Sequence, residues 1–257
     1  QKTAYEIPKR DWSSDVCSSD LVVVVRGDTV HIAWDSGDHD VLYKKSTNMG
    51  STWEPTIKIG DNNFSWLSTR PISMDVVGNY VYVVWNTSGD KTKFVRSTDG
   101  GSSFSVPADI NNGGRPSISA YGSNVDVIGW GGAGDDKIKF TRSTDYGATF
   151  GAISDAGNGG IVNAIDSSKN EIYIVSRVGA NTMNLIKSSD GGTSFSTINI
   201  GTGTDFPNIQ KTDAYLHVSY SNGGSNVSYR ISDDLGATWS NAGTVTSNWA
   251  TTAPQYT

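Results

Sequence analysis

The sequence predicts an all-β fold, a β-propeller of four-stranded antiparallel blades, with five blade units and the start of a sixth. Three observations predict it. An octapeptide of the form Ser-x-Asp-x-Gly-x-Ser/Thr-aromatic recurs along the chain, its copies lie about 45 residues apart, and each interval holds four short runs of period-2 alternation. The composition agrees: only 18 % of the 257 residues are charged and 29 are glycine, which favours short strands and tight turns over helices.

The octapeptides are Ser97–Phe104, Ser143–Phe150, Ser188–Phe195 and Ser232–Trp239, with a fifth, Ser46–Trp53, carrying Asn48 in place of Asp. Their leading serines are 51, 46, 45 and 44 residues apart. Upstream of each lies an alternating run: Val41–Lys45, Lys93–Arg96, Lys139–Arg142, Asn184–Lys187 and Ser228–Ile231. The run before that ends on Trp34, Trp85, Trp130, Ser176 or Tyr220, positions that align as packing between blades or as an aromatic ring at the channel mouth. A first run opens beside Pro71, Pro116 and Pro207, and Pro254 aligns with the opening of a sixth unit. A fourth run follows each octapeptide, as at Thr56–Ile59 and Thr197–Ile200. Four strands per interval is the content of a propeller blade. A closed ring of five blades, with the tail as an extra edge strand, is the alternative.

The octapeptide suits a hairpin between third and fourth strands. The carboxylates of Asp99, Asp145, Asp190 and Asp234 are expected to accept N–H bonds from the residues after them. Asn48 keeps an acceptor oxygen. The glycine takes a positive φ, and the hydroxyls tie the arms of the turn. These five positions are read as structural. Arg96 and Arg142, which directly precede octapeptides as Lys45 and Lys187 do, read as solvated strand-end charges.

Composition also bounds the partners. A net charge of -6 supplies no basic field for nucleic acid, and no apolar run approaches the roughly 20 residues of a membrane span. The single cysteine, Cys17, forms no intrachain disulfide or cysteine-based zinc site. No cofactor fingerprint occurs, and Asp38-His39-Asp40 lacks the spacing of a metal site. Residues 10–21 (RDWSSDVCSSDL) are foreign in composition and resemble the read-through translation of a sequencing-library adapter, with a Ser/Asp-rich linker as the alternative. Residues 1–20 are set apart from a propeller domain over 21–257. No signal peptide is visible. The triplets at Asn63, Asn86 and Asn226 fit glycosylation sequons and favour an extracellular or cell-surface location.

Five octapeptides on this period resemble the Asp-box, or BNR-repeat, propellers, whose best-known members are sialidases. The resemblance covers Leu21 to Thr257. It implies six blades, with the boxes on the outer rim away from the site. It also implies three arginines that clamp a sugar carboxylate, a Tyr–Glu nucleophile pair and an Asp acid/base. Arginine suits the clamp because its planar fork binds a carboxylate bidentately. On that resemblance Arg70 and Arg115, each followed by proline at the start of a first strand, are candidate ligand contacts, although their recurrence in adjacent blades weakens a catalytic reading. Arg177 breaks the repeat and is the candidate third arginine. Trp66, outside the repeat, is a further contact. Asp35 is the candidate acid/base and Asp75 its runner-up. Of the three glutamates, Glu6, Glu54 and Glu171, none aligns with a channel-facing partner for a Tyr. Two readings follow: a secreted or surface module that binds a glycan or protein at its channel face, and a retaining exo-α-sialidase-type hydrolase whose remaining catalytic residues lie in absent blades.

Overall fold

The computed structural model describes residues 21–36, 38–62, 72–89, 91–111, 113–160, 163–223, 226–240 and 243–246. Among these residues twenty strands form five sheets of four, each an antiparallel meander in chain order. Blade 1 holds β1 (Leu21–Arg26), β2 (Thr29–Asp35), β3 (Asp40–Ser46) and β4 (Ile57–Asp61). Blade 2 holds β5 (Ile72–Val77), β6 (Tyr80–Thr87), β7 (Lys91–Ser97) and β8 (Ala108–Asn111). Blade 3 holds β9 (Gly114–Tyr121), β10 (Asn124–Trp130), β11 (Lys137–Ser143) and β12 (Ser154–Asn158). Blade 4 holds β13 (Asn163–Ser168), β14 (Glu171–Val178), β15 (Thr182–Ser188) and β16 (Ser196–Thr202). Blade 5 holds β17 (Asp205–Lys211), β18 (Leu216–Ser221), β19 (Val227–Ser232) and β20 (Gly243–Thr246). The expected sixth opening and the segment 1–20 lie outside the described residues, as do Trp66 and Arg70.

The core is not one mass but four apolar clusters, one at each blade junction. Tyr43 and Val41 of blade 1 meet Met74 and Trp85 of blade 2, and Phe94 of blade 2 meets Ile118 and Val127 of blade 3. Ile138 and Phe140 of blade 3 meet Ile165 and Ile174 of blade 4; Met183 and Leu185 of blade 4 meet Val218 and Tyr220 of blade 5. Sheets with two buried faces of this kind hold one another in a row. The first strands pack in succession, β1 on β5, β5 on β9, β9 on β13 and β13 on β17. Polar side chains stitch these inner strands together. Asp75 Oδ2 accepts from Ala120 N at 2.8 Å, Ser119 Oγ from Ser167 N at 2.9 Å and Asp166 Oδ2 from Lys211 N at 2.5 Å. Burial pushes the carboxyls of Asp75 and Asp166 above their usual range. Asp75, the runner-up acid, is thus held in a strand-to-strand bond and an ion pair with Arg26 at 2.9 Å.

Each octapeptide forms one conserved geometry within the chain. Asp99 Oδ1 accepts from the amides of Ser102 and Ser103 at 3.0 and 2.9 Å, and Oδ2 accepts from Ser103 Oγ at 2.6 Å. In the Asn48 copy the last bond reverses: Nδ2 donates to Thr52 Oγ1 at 2.8 Å, while Oδ1 still accepts from Thr52 N. The motif glycine is needed for close approach as well as for its positive φ. A Cβ on Gly147 would stand 2.8 Å from Phe94 of the preceding blade, and one on Gly192 would collide with Phe140. In three motifs the closing aromatic packs edge-on to a ring of the preceding blade, Phe104 on Tyr43, Phe150 on Phe94 and Phe195 on Phe140.

Two sequence expectations are corrected here. The basic residue before each of the first four motifs is not only a strand-end charge but a tether to the next blade. Lys45 Nζ donates to Gly100 O at 2.8 Å, Arg96 Nη1 to Tyr146 O at 2.9 Å and Lys187 Nζ to Leu235 O at 3.3 Å. Arg142 makes a bidentate pair with the buried Asp126 at 2.7 and 2.8 Å and donates to Lys169 O in blade 4. The second correction concerns register. Trp34, Trp85, Ser176 and Tyr220 face Leu42, Lys93, Asn184 and Ser228, each at one offset from its motif serine. In blade 3 the residue at that offset, Lys139, faces Gly129, and Trp130 faces Ile138. Trp130 therefore belongs to the next row, with Asp35, Asn86, Arg177 and Ser221. A register shift between Ile128 and Trp130 in the β9–β10 ladder marks the displacement.

Candidate functional site

The corrected register explains where the fold leaves room. At the junction of blades 1 and 2 the Trp85 ring lies against Gly60, so closely that a Cβ there would collide, and at blades 4 and 5 Tyr220 lies against Gly203 in the same way. Both rings are almost fully buried, which makes them packing residues rather than ligand platforms. At blades 2 and 3 no ring intervenes: a Cβ on Gly113 would stand 2.9 Å from the Gly129 carbonyl carbon, so the two backbones close the junction directly. At blades 3 and 4 the ring position is Ser176, whose Oγ accepts from Gly160 N at 3.2 Å. Ser176 is fully buried, and Ile138 with Ser176 Oγ closes against Gly159 where a ring stands elsewhere. At the same junction a cavity of about 510 Å³ lies between the two blades, within the range of small-molecule sites.

The walls of this cavity come from the end of β10, the β10–β11 loop, the β12–β13 link and the end of β14. Trp130, Asp135, Asp136, Asn158 and Arg177 supply its chemistry, and Gly159 and Gly160 its narrow floor. Trp130 carries the Arg115 guanidinium 5.4 Å from its ring centroid, a cation–π distance. Arg177 Nη1 donates to Thr204 O and lies 3.2 Å from Asp205 Oδ1 of blade 5. Asp135 pairs with Lys139 at 2.7 Å, and Lys137 Nζ donates to Asn158 Oδ1 at 2.5 Å. Two donor atoms beside the cavity, Trp130 Nε1 and Arg177 Nε, are buried with no hydrogen-bond partner. Both atoms are shielded by the protein, so it is the Trp130 ring face and the Arg177 terminal nitrogens, not these two donors, that can meet a ligand.

The structure brings Trp130 and Arg177 together and sets Arg115 on the Trp130 ring. Arg115 and Phe206 share a left-handed backbone, φ 52° and 51°, which supports their equivalence as first-strand starts. Asp35 lies apart, at the junction of blades 1 and 2, where its Oδ2 accepts from Asn62 Nδ2 at 2.6 Å. Glu54 and Glu171 sit against Lys45 at 3.6 Å and Lys211 at 3.3 Å. Of the sequence candidates, Arg177, which breaks the repeat, lines this cavity, and Trp130, read as blade packing or as an aromatic at the channel mouth, lines it from the next row. Asp135, Asp136 and Asn158 carried no sequence signal, being loop or strand-end residues without a motif.

A second cavity, of about 640 Å³, lies near the turn motif of blade 3, over Phe94, Val106, Ile110 and Phe150. Its charged groups are engaged, Arg96 with Tyr146 O and Asp109 with Lys93 at 3.1 Å. Among the described residues no cluster of three His, Cys, Asp or Glu side chains has metal-holding geometry, and no helix is long and apolar enough to cross a membrane.

Known structures resemble this architecture. SapL1 lectin in complex with α-methyl fucoside superposes with a TM-score of 0.62 at 16% identity, covering 87% of this chain and 79% of that one. Aleuria aurantia lectin in complex with Fucα1-6GlcNAc gives 0.62 at 15% identity over 91% and 79% of the two chains. Another structure of that lectin, described as a six-bladed β-propeller, gives 0.62 at 9% identity over 88% and 78%. Trypanosoma rangeli sialidase gives 0.55 at 15% identity, covering 83% of this chain but 46% of the sialidase. At these identities the likeness is one of fold, a β-propeller. No protein-family model matches the chain, and no curated protein matches it in sequence.

Proposed function

We propose that this chain is a glycan-recognising propeller module and that the cavity between blades 3 and 4 is its binding site. One observation carries the reading. At this junction Trp130 and Arg177, from one row of the repeat, line a single cavity together with Asp135, Asp136 and Asn158. Neither side chain is demanded by the fold, because the same row holds Asp35, Asn86 and Ser221 elsewhere. A tryptophan face offers a rigid surface for the C–H face of a sugar, and the polar groups around it suit hydroxyls. The lectin likeness in fold supports the reading from outside the chain.

On this reading the octapeptides are Asp boxes of a BNR-type propeller in an extracellular or cell-surface setting, with Asn48, Asp99, Asp145, Asp190 and Asp234 holding turns. Arg115 positions the Trp130 ring and Arg177 forms the far wall. Arg70 and Trp66, outside the described residues, are proposed as ligand contacts on the sequence alone.

Tryptophan emission titrated with a panel of neutral and sialylated glycans tests the proposal. At least one glycan is expected to bind saturably, and Trp130→Ala to weaken it by at least roughly tenfold, about 1.4 kcal/mol, with the melting temperature of the variant recorded as a control. Unchanged affinity in the folded variant would place recognition elsewhere.

A further inference from the structure

We infer that the cavity between blades 3 and 4 selects an uncharged, hydroxyl-bearing sugar ring and rejects an anionic one, an inference that rests on the glycan reading above. Charge is the first argument. Two carboxylates, Asp135 and Asp136, line the cavity. Among the described residues the cations at its edge are engaged: Arg177 has Asp205 and Thr204 O, Lys137 has Asn158, Lys139 is held between Asp135 and Asp155, both at 2.7 Å, and Arg115 lies over the Trp130 ring. Recognition of a sugar carboxylate calls for a guanidinium fork whose two donors face the ligand. Here one Nη of Arg177 is bonded to the neighbouring blade, and an incoming carboxylate would meet Asp136 as a like charge.

Hydrogen-bond sense is the second argument. The carboxylates of the lining, Asp135 and Asp136, are acceptor-only, and Trp130 Nε1 and Arg177 Nε are buried out of a ligand's reach. A hydroxyl can donate to such a lining; a carboxylate, which only accepts, cannot. A pyranose presents several hydroxyls around an apolar C–H face, which matches Trp130 between polar walls.

The full chain would be titrated by calorimetry with methyl α-L-fucopyranoside, methyl β-D-galactopyranoside and the methyl α-glycoside of N-acetylneuraminic acid, at low and high salt. A neutral glycoside is expected to bind at least tenfold more tightly than the sialoside. Its affinity should change less than twofold with salt, and it should fall about tenfold in Asp136→Asn as a charge-assisted acceptor is lost. The sialoside binding as tightly as the neutral glycosides, and weakening with salt, would overturn this inference while leaving the glycan reading intact. Neutral binding that ignores Asp136→Asn would overturn it too. Failure of all three glycosides, and of the wider glycan panel, would remove the glycan reading itself.

Discussion

Single side chains in this protein set how its stability answers to pH. Asp99, Asp145 and Asp190 are held well below the usual carboxylate range, chiefly by the Ser103 hydroxyl, the Thr149 amide and the Ser194 hydroxyl, and Asp234 is lowered to about 2, chiefly by the Thr238 hydroxyl. His31 moves in the same direction for another reason. Burial, then the charges of Lys45 and Arg26, lowers it to about 4 from 6.5, and its Nδ1 lies 2.7 Å from the Tyr43 hydroxyl. The native state keeps this imidazole neutral, whereas the unfolded chain protonates it near 6.5. Stability from His31 is therefore complete above that pH and is lost as pH falls toward about 4, where the lowered carboxylates begin to add their own loss. In His31→Gln, which retains an acceptor for Tyr43, urea unfolding at pH 7 and pH 5 is expected to differ less than in the parent chain. An equal difference in both proteins would contradict the assignment.

At the scale of strands and junctions, the protein repeats one joint and alters it where it matters. Trp85 and Tyr220 fill their junctions, two glycines close the second, and Ser176 with Ile138 closes the third beside the cavity. Ser176→Tyr restores a ring of the kind found at the neighbouring joints. It is expected to abolish Trp130-dependent sugar binding while the chain remains folded, with an overpacking cost of about 1–3 kcal/mol read as a modest fall in melting temperature. Retained binding would mean that the cavity is not the site. The joints were largely legible in the sequence, because a motif that demands glycine and an inward aromatic is constrained at every copy. The site was legible at Arg177 and, as one reading of an aromatic row, at Trp130. Alignment by residue size put Trp130 in the ring row, since a tryptophan beside a glycine gives no sign of a register shift. At the shift Gly129 meets Gly113 of the β8–β9 link, a contact between residues 16 apart that no local pattern records. Asp135 and Asp136 gave no signal because they lie in a loop free of the strand repeat.

Among the described residues the molecule has five blades in succession, joined by four junctions that share the motif contact and differ at the ring position. Tyr43, Phe94, Phe140 and Leu185 are buried under the next blade's motif, while Tyr229, at the same offset in blade 5, is 37% exposed, as are Val23 and Val25 of β1 at 42% and 43%. In such an array each blade is supported by its neighbours, so a site shared by two inner blades rests on the best-held part of the structure. The cavity between blades 3 and 4 has that position, and a rigid frame suits recognition by a ring face and fixed polar groups. The most direct test is the indole region of the ¹H–¹⁵N spectrum, in which Trp130 is one of eight tryptophans and is assigned by its loss in Trp130→Phe. On titration with a bound neutral glycoside its N–H resonance is expected to shift most and to saturate with the calorimetric affinity. A glycoside that binds while that resonance stays in place and another indole moves would contradict the account.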